Sequence, residues 1–241
     1  MLTLGNHKLG PAPIWGFGLP SGPRGACPGR SPACTRHCYA VAVERCRPAA
    51  AALYRRNYRR SRRRAFARRV RAFLVAHAVR VVRVHTGGDF YAPAYARKWL
   101  DVMRRSPRVR FYFYTRSWRV PAIKAVIDAM AELPNCRAWY SCDRDTGVPA
   151  DVPPCVRLAW LAVEPGDAPP PGTDLVFRVR RLRRAPSASD ALGAALVCPA
   201  EDGAPRAVPV TCARCGHCWR GPVPDRVPLP VLEPGAPGRD P

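Results

Sequence analysis

Lysine is almost missing from this chain: three of its forty cationic side chains are Lys and the other 37 are Arg. Acids are scarce too, at 17 Asp plus Glu, so the formal charge is +23. No window approaches the roughly 20 uninterrupted apolar residues that a bilayer span requires. No internal repeat recurs at a fixed period, and the start, MLTLGNHKLG, lacks the charged-then-apolar plan of a signal peptide. These absences exclude a helical membrane protein and a solenoid, and they point to a cytoplasmic protein with no membrane partner. The positive charge by itself suggests nucleic acid. Its near-exclusive arginine character, beside 29 Pro and abundant Ala, is what a GC-rich genome produces wherever any cation will do, so it says less about partners than its size suggests. A hydrophobic content of 47% excludes wholesale disorder.

The eleven cysteines are what the composition leaves to explain. In a reducing cytosol they do not form a disulfide framework, and an odd count leaves one unpaired, so metal or redox chemistry becomes the leading account. Cys27, Cys34 and Cys38 lie near the front, and Cys198, Cys212, Cys215 and Cys218 near the back. Cys46, Cys136, Cys142 and Cys155 are scattered.

Along the chain, Ile14 to Leu19 reads as a strand feeding a Gly- and Pro-bent loop, Gly25 to Cys38. Tyr39 to about His77 reads as helix, broken near Pro48, with Phe66, Val70, Phe73, Leu74 and His77 at helical spacing and arginines between them. Then comes an alternation. Val79 to His85, Val109 to Tyr114, Arg137 to Ser141, Val156 to Val163 and Leu175 to Val179 read as strands. Residues 94–105 and 121–132 read as helices, the second with Pro121 at its first position. Repeated strand-helix units predict a parallel sheet with right-handed crossovers. The expected fold is therefore α/β, a partial (β/α) barrel of mainly parallel strands, with a cysteine-rich C-terminal metal-binding extension. Residues 1–185 would form the partial barrel with its N-terminal cysteine loop, and 186–220 the C-terminal cysteine cluster. Residues 221–241 would be a Pro-rich, disordered tail.

The front spacing, C-x6-C-x3-C, draws three thiolates from one loop at the carboxyl end of the first strand. Three thiolates leave one corner of an iron-sulfur cube open to a non-protein ligand, and they also suit a tetrahedral zinc completed by water or His37. Spacing does not choose between them. In parallel strand-helix folds ligands collect at the carboxyl ends of strands. The punctuation of this chain lies there: Gly87, Gly88 and Asp89 after one strand, Thr115, Arg116 and Ser117 after the next, Ser141 and Asp143 after the third. Two glycines let a ligand approach the backbone, and Asp89 offers a carboxylate to an amine. A tight turn capping the next helix is the plainer reading of Gly-Gly-Asp.

Four blocks carry a resemblance. Cys34-Thr-Arg-His-Cys38-Tyr-Ala, His-Thr-Gly-Gly-Asp-Phe-Tyr, Tyr-Thr-Arg-Ser-Trp-Arg and Cys-Ala-Arg-Cys-Gly-His-Cys-Trp resemble the phage "gene product eighty-eight" family over most of residues 8 to 220. More distantly they resemble phage proteins with a Cys-Tyr-Ala signature and, through them, the radical S-adenosylmethionine superfamily. That resemblance implies a [4Fe-4S] cluster on Cys27, Cys34 and Cys38, whose open iron is chelated by the amino and carboxylate groups of S-adenosylmethionine. It further implies that Gly87, Gly88 and Asp89 bind the cofactor's amino group, and that reductive cleavage yields a hydrogen-abstracting 5'-deoxyadenosyl radical. Tyr39, Thr115, Arg116, Ser141 and Asp143 complete the candidate cofactor site. The superfamily's usual spacing is C-x3-C-x2-C with an aromatic before the last cysteine. This loop has six and three intervening residues and places Tyr39 after it.

At the rear, Cys212, Cys215 and Cys218 in C-x2-C-x2-C, with Cys198-Pro199 upstream, resemble the bacterial ferredoxin run. Four thiolates would close every corner, giving a structural or electron-relaying centre, a second [4Fe-4S] cluster or zinc, with His217 inside the run. Trp99, Phe111, Phe113, Trp139 and Trp160 are expected core residues. Cys46, Cys136 and Cys155 are expected to be small buried hydrophobes, and His85 a hydrogen-bonded histidine. Arg116 and Arg119 are candidates for an anionic substrate or the cofactor carboxylate.

Two functions of different class remain. The first is an iron-sulfur, radical S-adenosylmethionine-like enzyme with an auxiliary metal centre, served by an electron donor such as a flavodoxin or ferredoxin, its substrate unspecified, with nucleic acid or nucleotide among the candidates. The second is a zinc-stabilised nucleic-acid-binding protein whose cysteine groups are structural.

Overall fold

The structure is a computed structural model and describes residues 1–5, 8–10, 14–182, 196–202, 208 and 210–220. The strand-helix alternation is present. Strand β1 (Thr3–Leu4) leads to β2 (Ile14–Phe17), whose end opens the cysteine loop. Four helices follow: α1 (Pro32–Arg36), α2 (Tyr39–Cys46), α3 (Pro48–Ser61) and α4 (Phe66–Ala76). The long helical stretch breaks at Pro48, as expected, and again over residues 62–65. Strand β3 (Val81–Val84), helix α5 (Pro93–Arg104), β4 (Arg110–Thr115), helix α6 (Pro121–Ala131) and β5 (Cys136–Cys142) come next. After β5 the chain runs β6 (Val156–Ala162) and β7 (Leu175–Arg178) through loops without helices, then β8 (Leu196–Val197) and α7 (Cys212–Cys215). Proline occupies the first turn of α1, α3, α5 and α6, where its missing N–H costs nothing and its φ is already helical.

All eight strands form one sheet in the order of the chain. β1 pairs antiparallel with β2, and every other pair is parallel. A doubly wound sheet would reverse its strand order part-way; this one does not. It is also open, with β1 and β8 as edges, so a closed barrel is absent among the described residues. Neither edge strand, each two residues long, is readable from hydrophobic pattern.

Strand alternation divides the sheet into two faces. Val82, Val84, Phe111, Phe113, Ala138, Tyr140 and Trp160 point to one, where Phe66, Val70 and Leu74 of α4, Trp99 and Met103 of α5, and Ile127 and Met130 of α6 cover them. Each buried Val, Leu, Ile, Phe or Met among them contributes about 1.5–3 kcal/mol by leaving water. The expected core residues Trp99, Phe111, Phe113 and Trp160 sit here. Trp139 is fully buried but on the opposite face, against Cys198 and Cys218. That face carries arginines stacked on aromatic rings: Arg83 over Tyr114 and Arg157 over Trp139. Of the scattered cysteines, Cys136 is buried as expected, whereas Cys46 and Cys155 are exposed. Cys46 ends a surface helix and Cys155 stands one residue outside its strand, so neither has a core to enter.

Candidate functional site

The front cysteine loop is held against three strand ends by hydrogen bonds that no local pattern announces. From β3, the Gly88 N–H donates to Ser21 Oγ at 2.8 Å and the Asp89 N–H to the Ala26 carbonyl at 2.8 Å. The Leu19 N–H donates to the Gly87 carbonyl at 2.8 Å. Gly88 has φ +73°, and a Cβ there would stand 2.6 Å from that of Leu19, so the turn requires glycine. From β4, the Arg119 guanidinium donates to the carbonyls of Gly29 and Arg30 at 3.2 and 3.1 Å. Gly29 lies so close to the Arg116 carbonyl that a Cβ would approach it to 1.9 Å. From β5, Asp143 accepts the Ser31 hydroxyl at 2.6 Å, and Asp145 accepts the Ala33 N–H at 2.6 Å. Ser31 in turn caps α1, accepting the Cys34 N–H at 2.9 Å.

The side chains at the strand ends form one buried block. Asp89 accepts Thr115 Oγ1 at 2.6 Å and the N–H groups of Phe90 and Arg116 at 2.7 and 2.8 Å. Both its oxygens are thus engaged by the protein, and burial still pushes its carboxyl above the usual range. Arg116 pairs with Asp143 at 2.7 Å, both side chains buried. Ser141 contributes its carbonyl, which accepts the Trp118 indole N–H at 3.1 Å. Tyr39 is different: it is 59% exposed, donates to the Thr86 carbonyl at 2.8 Å, and accepts from Arg83 at 3.2 Å.

Cys27, Cys34 and Cys38 are free thiols within electrostatic reach of one another beside this block. Burial pushes Cys27 up to about 12, with the Asp89 carboxylate and the other two sulfurs adding to it. Burial also raises Cys34, against the opposing pull of Arg116. The Asp89 and Asp143 carboxylates are both already taken up by the protein, so the three thiols alone are the donor set that a multivalent cationic group would complete, at the cost of released protons. Among the described residues, however, no three Cys, His, Asp or Glu side chains are gathered tightly enough to hold a single metal ion.

The rear segment lies on the arginine-bearing sheet face. The Cys212 and Ala213 N–H groups donate to the Lys8 and Leu9 carbonyls at 2.9 and 3.0 Å. Trp139 donates its indole N–H to the Cys218 carbonyl at 3.0 Å, and Trp219 to that of Cys212 at 3.1 Å. Gly216, at φ +70°, ends α7 and turns the chain toward Cys218. Cys198, Cys212, Cys215 and Cys218 line one common cavity with His217. Burial pushes Cys218 up to about 12 and Cys198 to about 11. Lys8 lies near Cys198 and Cys212, and Arg83 near Cys212, as the cationic neighbours that thiolates here would need.

The profile of the family described as "Gene product 88" matches residues 1–221. The chain belongs to that family. Its curated relatives include the "Gene 88 protein" of Mycobacterium phage L5, 31% identical over 140 residues, and that of Mycobacterium phage D29, 30% identical over the same length. Each alignment covers 54% of this chain and 57% of the relative. No solved structure matches significantly.

In this gene product 88 family member, every cysteine assigned from sequence to the front or the rear falls in its own spatial group. Gly87, Gly88, Asp89, Thr115, Arg116, Ser141 and Asp143 share the front strand ends, with Tyr39 at the rim. Ser31 and Asp145 hold the cysteine loop without belonging to any of the four sequence blocks; Ser31-Pro32 is a readable cap-and-proline signal for α1, but its tie to Asp143 is not. Cys142 packs in the core, its thiol pushed up to about 12 by burial. Among the described residues no helix is long and apolar enough to cross a membrane. The expected tail at 221–241 lies outside the described residues.

Proposed function

We propose that this protein is an iron-sulfur enzyme of the radical S-adenosylmethionine kind, working from the mouth of an open, barrel-like sheet. A [4Fe-4S] cluster on Cys27, Cys34 and Cys38 would face the ends of β3, β4 and β5. A second [4Fe-4S] cluster or zinc on Cys198, Cys212, Cys215 and Cys218 would be the auxiliary centre. The observation that supports it is the attachment of the cysteine loop to the Gly87–Gly88 turn, through Leu19, Ser21 and Ala26. One site thereby gathers three thiols, a glycine turn and the Arg116 and Arg119 side chains of a strand end. When bound, such a cluster and S-adenosylmethionine supply hydrogen abstraction, after one-electron cleavage of the sulfonium by an external donor such as a flavodoxin or ferredoxin.

The chain's own residues do the positioning. Asp143 and Asp145 hold the cap and first turn of α1, and so set where Cys34 points. Asp89 ties the Gly-Gly turn to Thr115 and Arg116, and with both oxygens occupied it acts as a positioning residue for that turn. His85, held neutral, adds no charge beneath the turn. Tyr39 closes the rim at the Thr86 carbonyl.

Anaerobic purification, with iron and sulfide analysis, tests the proposal. Iron and sulfide in comparable amounts are expected. Cys34→Ala should remove the front cluster's spectrum and leave the rear centre, and Cys215→Ala the reverse. Reductant and S-adenosylmethionine should release 5'-deoxyadenosine from wild type and not from Cys34→Ala. Colourless protein holding zinc at both groups, or loss of both centres from either change, contradicts the assignment.

A further inference from the structure

Residues 45–88 contain fourteen arginines and not one Asp or Glu, where an even spread of the chain's 17 acids would put about three. A codon preference for Arg over Lys does not empty a segment of acids. The fold brings this segment's charge together. Arg56, Arg59 and Arg60 lie on one side of α3, Arg63 in the turn behind it, and Arg69 on α4, and among the described residues these five alone line a surface groove. None of the five has a carboxylate partner among the described residues. The ridge is anchored: Lys98 donates to the Ser61 and Arg63 carbonyls at 2.8 and 3.1 Å.

We propose that this groove binds the phosphate backbone of a nucleic acid. Guanidiniums are matched to phosphate oxygens in charge and fork geometry. From Arg56 to Arg63 the side chains span about 10 Å at a helix's rise per residue, a stretch over which duplex DNA presents several phosphates. Among the described residues no aromatic or aliphatic side chain lines the groove, so they offer nothing to stack on bases or insert into a lipid surface. The binding is therefore to backbone charge and indifferent to sequence. The opposite side of α3 fixes the groove relative to the front cysteines. Tyr54 packs against Gly18 and Gly87 and its hydroxyl lies 3.2 Å from that of Thr86, while Asn57 donates to the Gly18 carbonyl at 3.1 Å. A bound strand would run one helix diameter, about 10 Å, from the Gly-Gly turn. The inference stands apart from the iron-sulfur reading and needs no metal.

The test is fluorescence anisotropy of the full chain with a labelled DNA duplex of about 20 base pairs and arbitrary sequence, across a salt series. Five phosphate contacts predict a slope of log affinity against log salt near −4.5, and R56Q/R59Q/R63Q should flatten it by about 2.7 and weaken binding roughly 500-fold at 0.1 M salt. R56K/R59K/R63K, which keeps the charge, should retain most of the affinity. R97Q/R104Q/R108Q removes equal charge from exposed positions on α5 and the turn after it, and should change the slope by less than about 1. Circular dichroism checks that each variant is folded. Absence of duplex binding by wild type, equal losses from the groove and α5 variants, or equal affinity for polyglutamate or anionic vesicles overturns the proposal.

Discussion

His85 allows a stringent check on the packing beneath the Gly-Gly turn. It directly follows β3 at φ +66°, 5% exposed, enclosed by the rings of Phe17, Phe90 and Tyr95. The Trp99 indole donates to the Tyr95 hydroxyl at 2.8 Å, and that hydroxyl lies 2.9 Å from His85 Nε2, so Tyr95 is positioned to give its proton to the imidazole. Nδ1 is buried with no partner. Burial lowers the histidine to about 3, against about 6.5 for an unfolded chain. Below pH 6.5 the unfolded chain takes up a proton that the folded one refuses, so stability falls as pH drops from about 6.5 toward about 3. The slope approaches 1.4 kcal/mol per pH unit, and the loss between pH 7 and pH 5 amounts to about 2 kcal/mol from this group. His85→Asn removes the titration with a residue that tolerates positive φ. Urea unfolding of both proteins at pH 7 and pH 5 isolates the effect, because the other histidines and the carboxylates cancel in the difference. The wild type should lose about 2 kcal/mol more than the variant. Equal losses, within about 0.5 kcal/mol, would mean that His85 is open to water and that the block beneath the turn is packed otherwise.

Ser31→Ala removes the α1 cap and the hydroxyl that Asp143 accepts; about 1 kcal/mol for the cap and 1.5–3 for a buried bond to a charged group sum to roughly 2–4 kcal/mol. Calorimetry should show a Tm fall on the order of 10 °C, and a loss under about 0.5 kcal/mol would contradict the clamp. Gly29→Ala places a Cβ 1.9 Å from the Arg116 carbonyl, so the loop must undock or the strand end shift, and thermal unfolding should register more than about 3 kcal/mol. Gly166→Ala, with φ +89° and nothing within 4 Å of the added carbon, should cost only about 1 kcal/mol of backbone strain. A milder outcome at Gly29 than at Gly166 would show that the loop is not docked on β4.

The order of strands β2 to β7 and of helices α5 and α6 was legible because burial period and proline placement are local. Phe66, Val70 and Leu74 recur at helical spacing whatever they pack against, and Pro121 marks a helix start without help from the rest of the chain. The grouping of cysteines was legible for the same reason, since C-x6-C-x3-C and C-x2-C-x2-C confine sulfurs to short segments. Cys46 and Cys155 show the limit: hydrophobic character does not say whether a neighbouring surface exists to cover it.

What the sequence determined by itself was the alternation of strand and helix, the helix starts and the two cysteine groups, each the product of forces acting over a few residues. Tertiary structure alone decided that the sheet stays open, that Ser31 reaches Asp143 across 112 positions, and that Asp89 spends its oxygens on Thr115 and the Phe90 and Arg116 amides. It also decided that Arg56, Arg59, Arg60, Arg63 and Arg69 line one groove. Hydrogen bonds between distant segments depend on where three strand ends meet in space, and no spacing along the chain encodes that meeting.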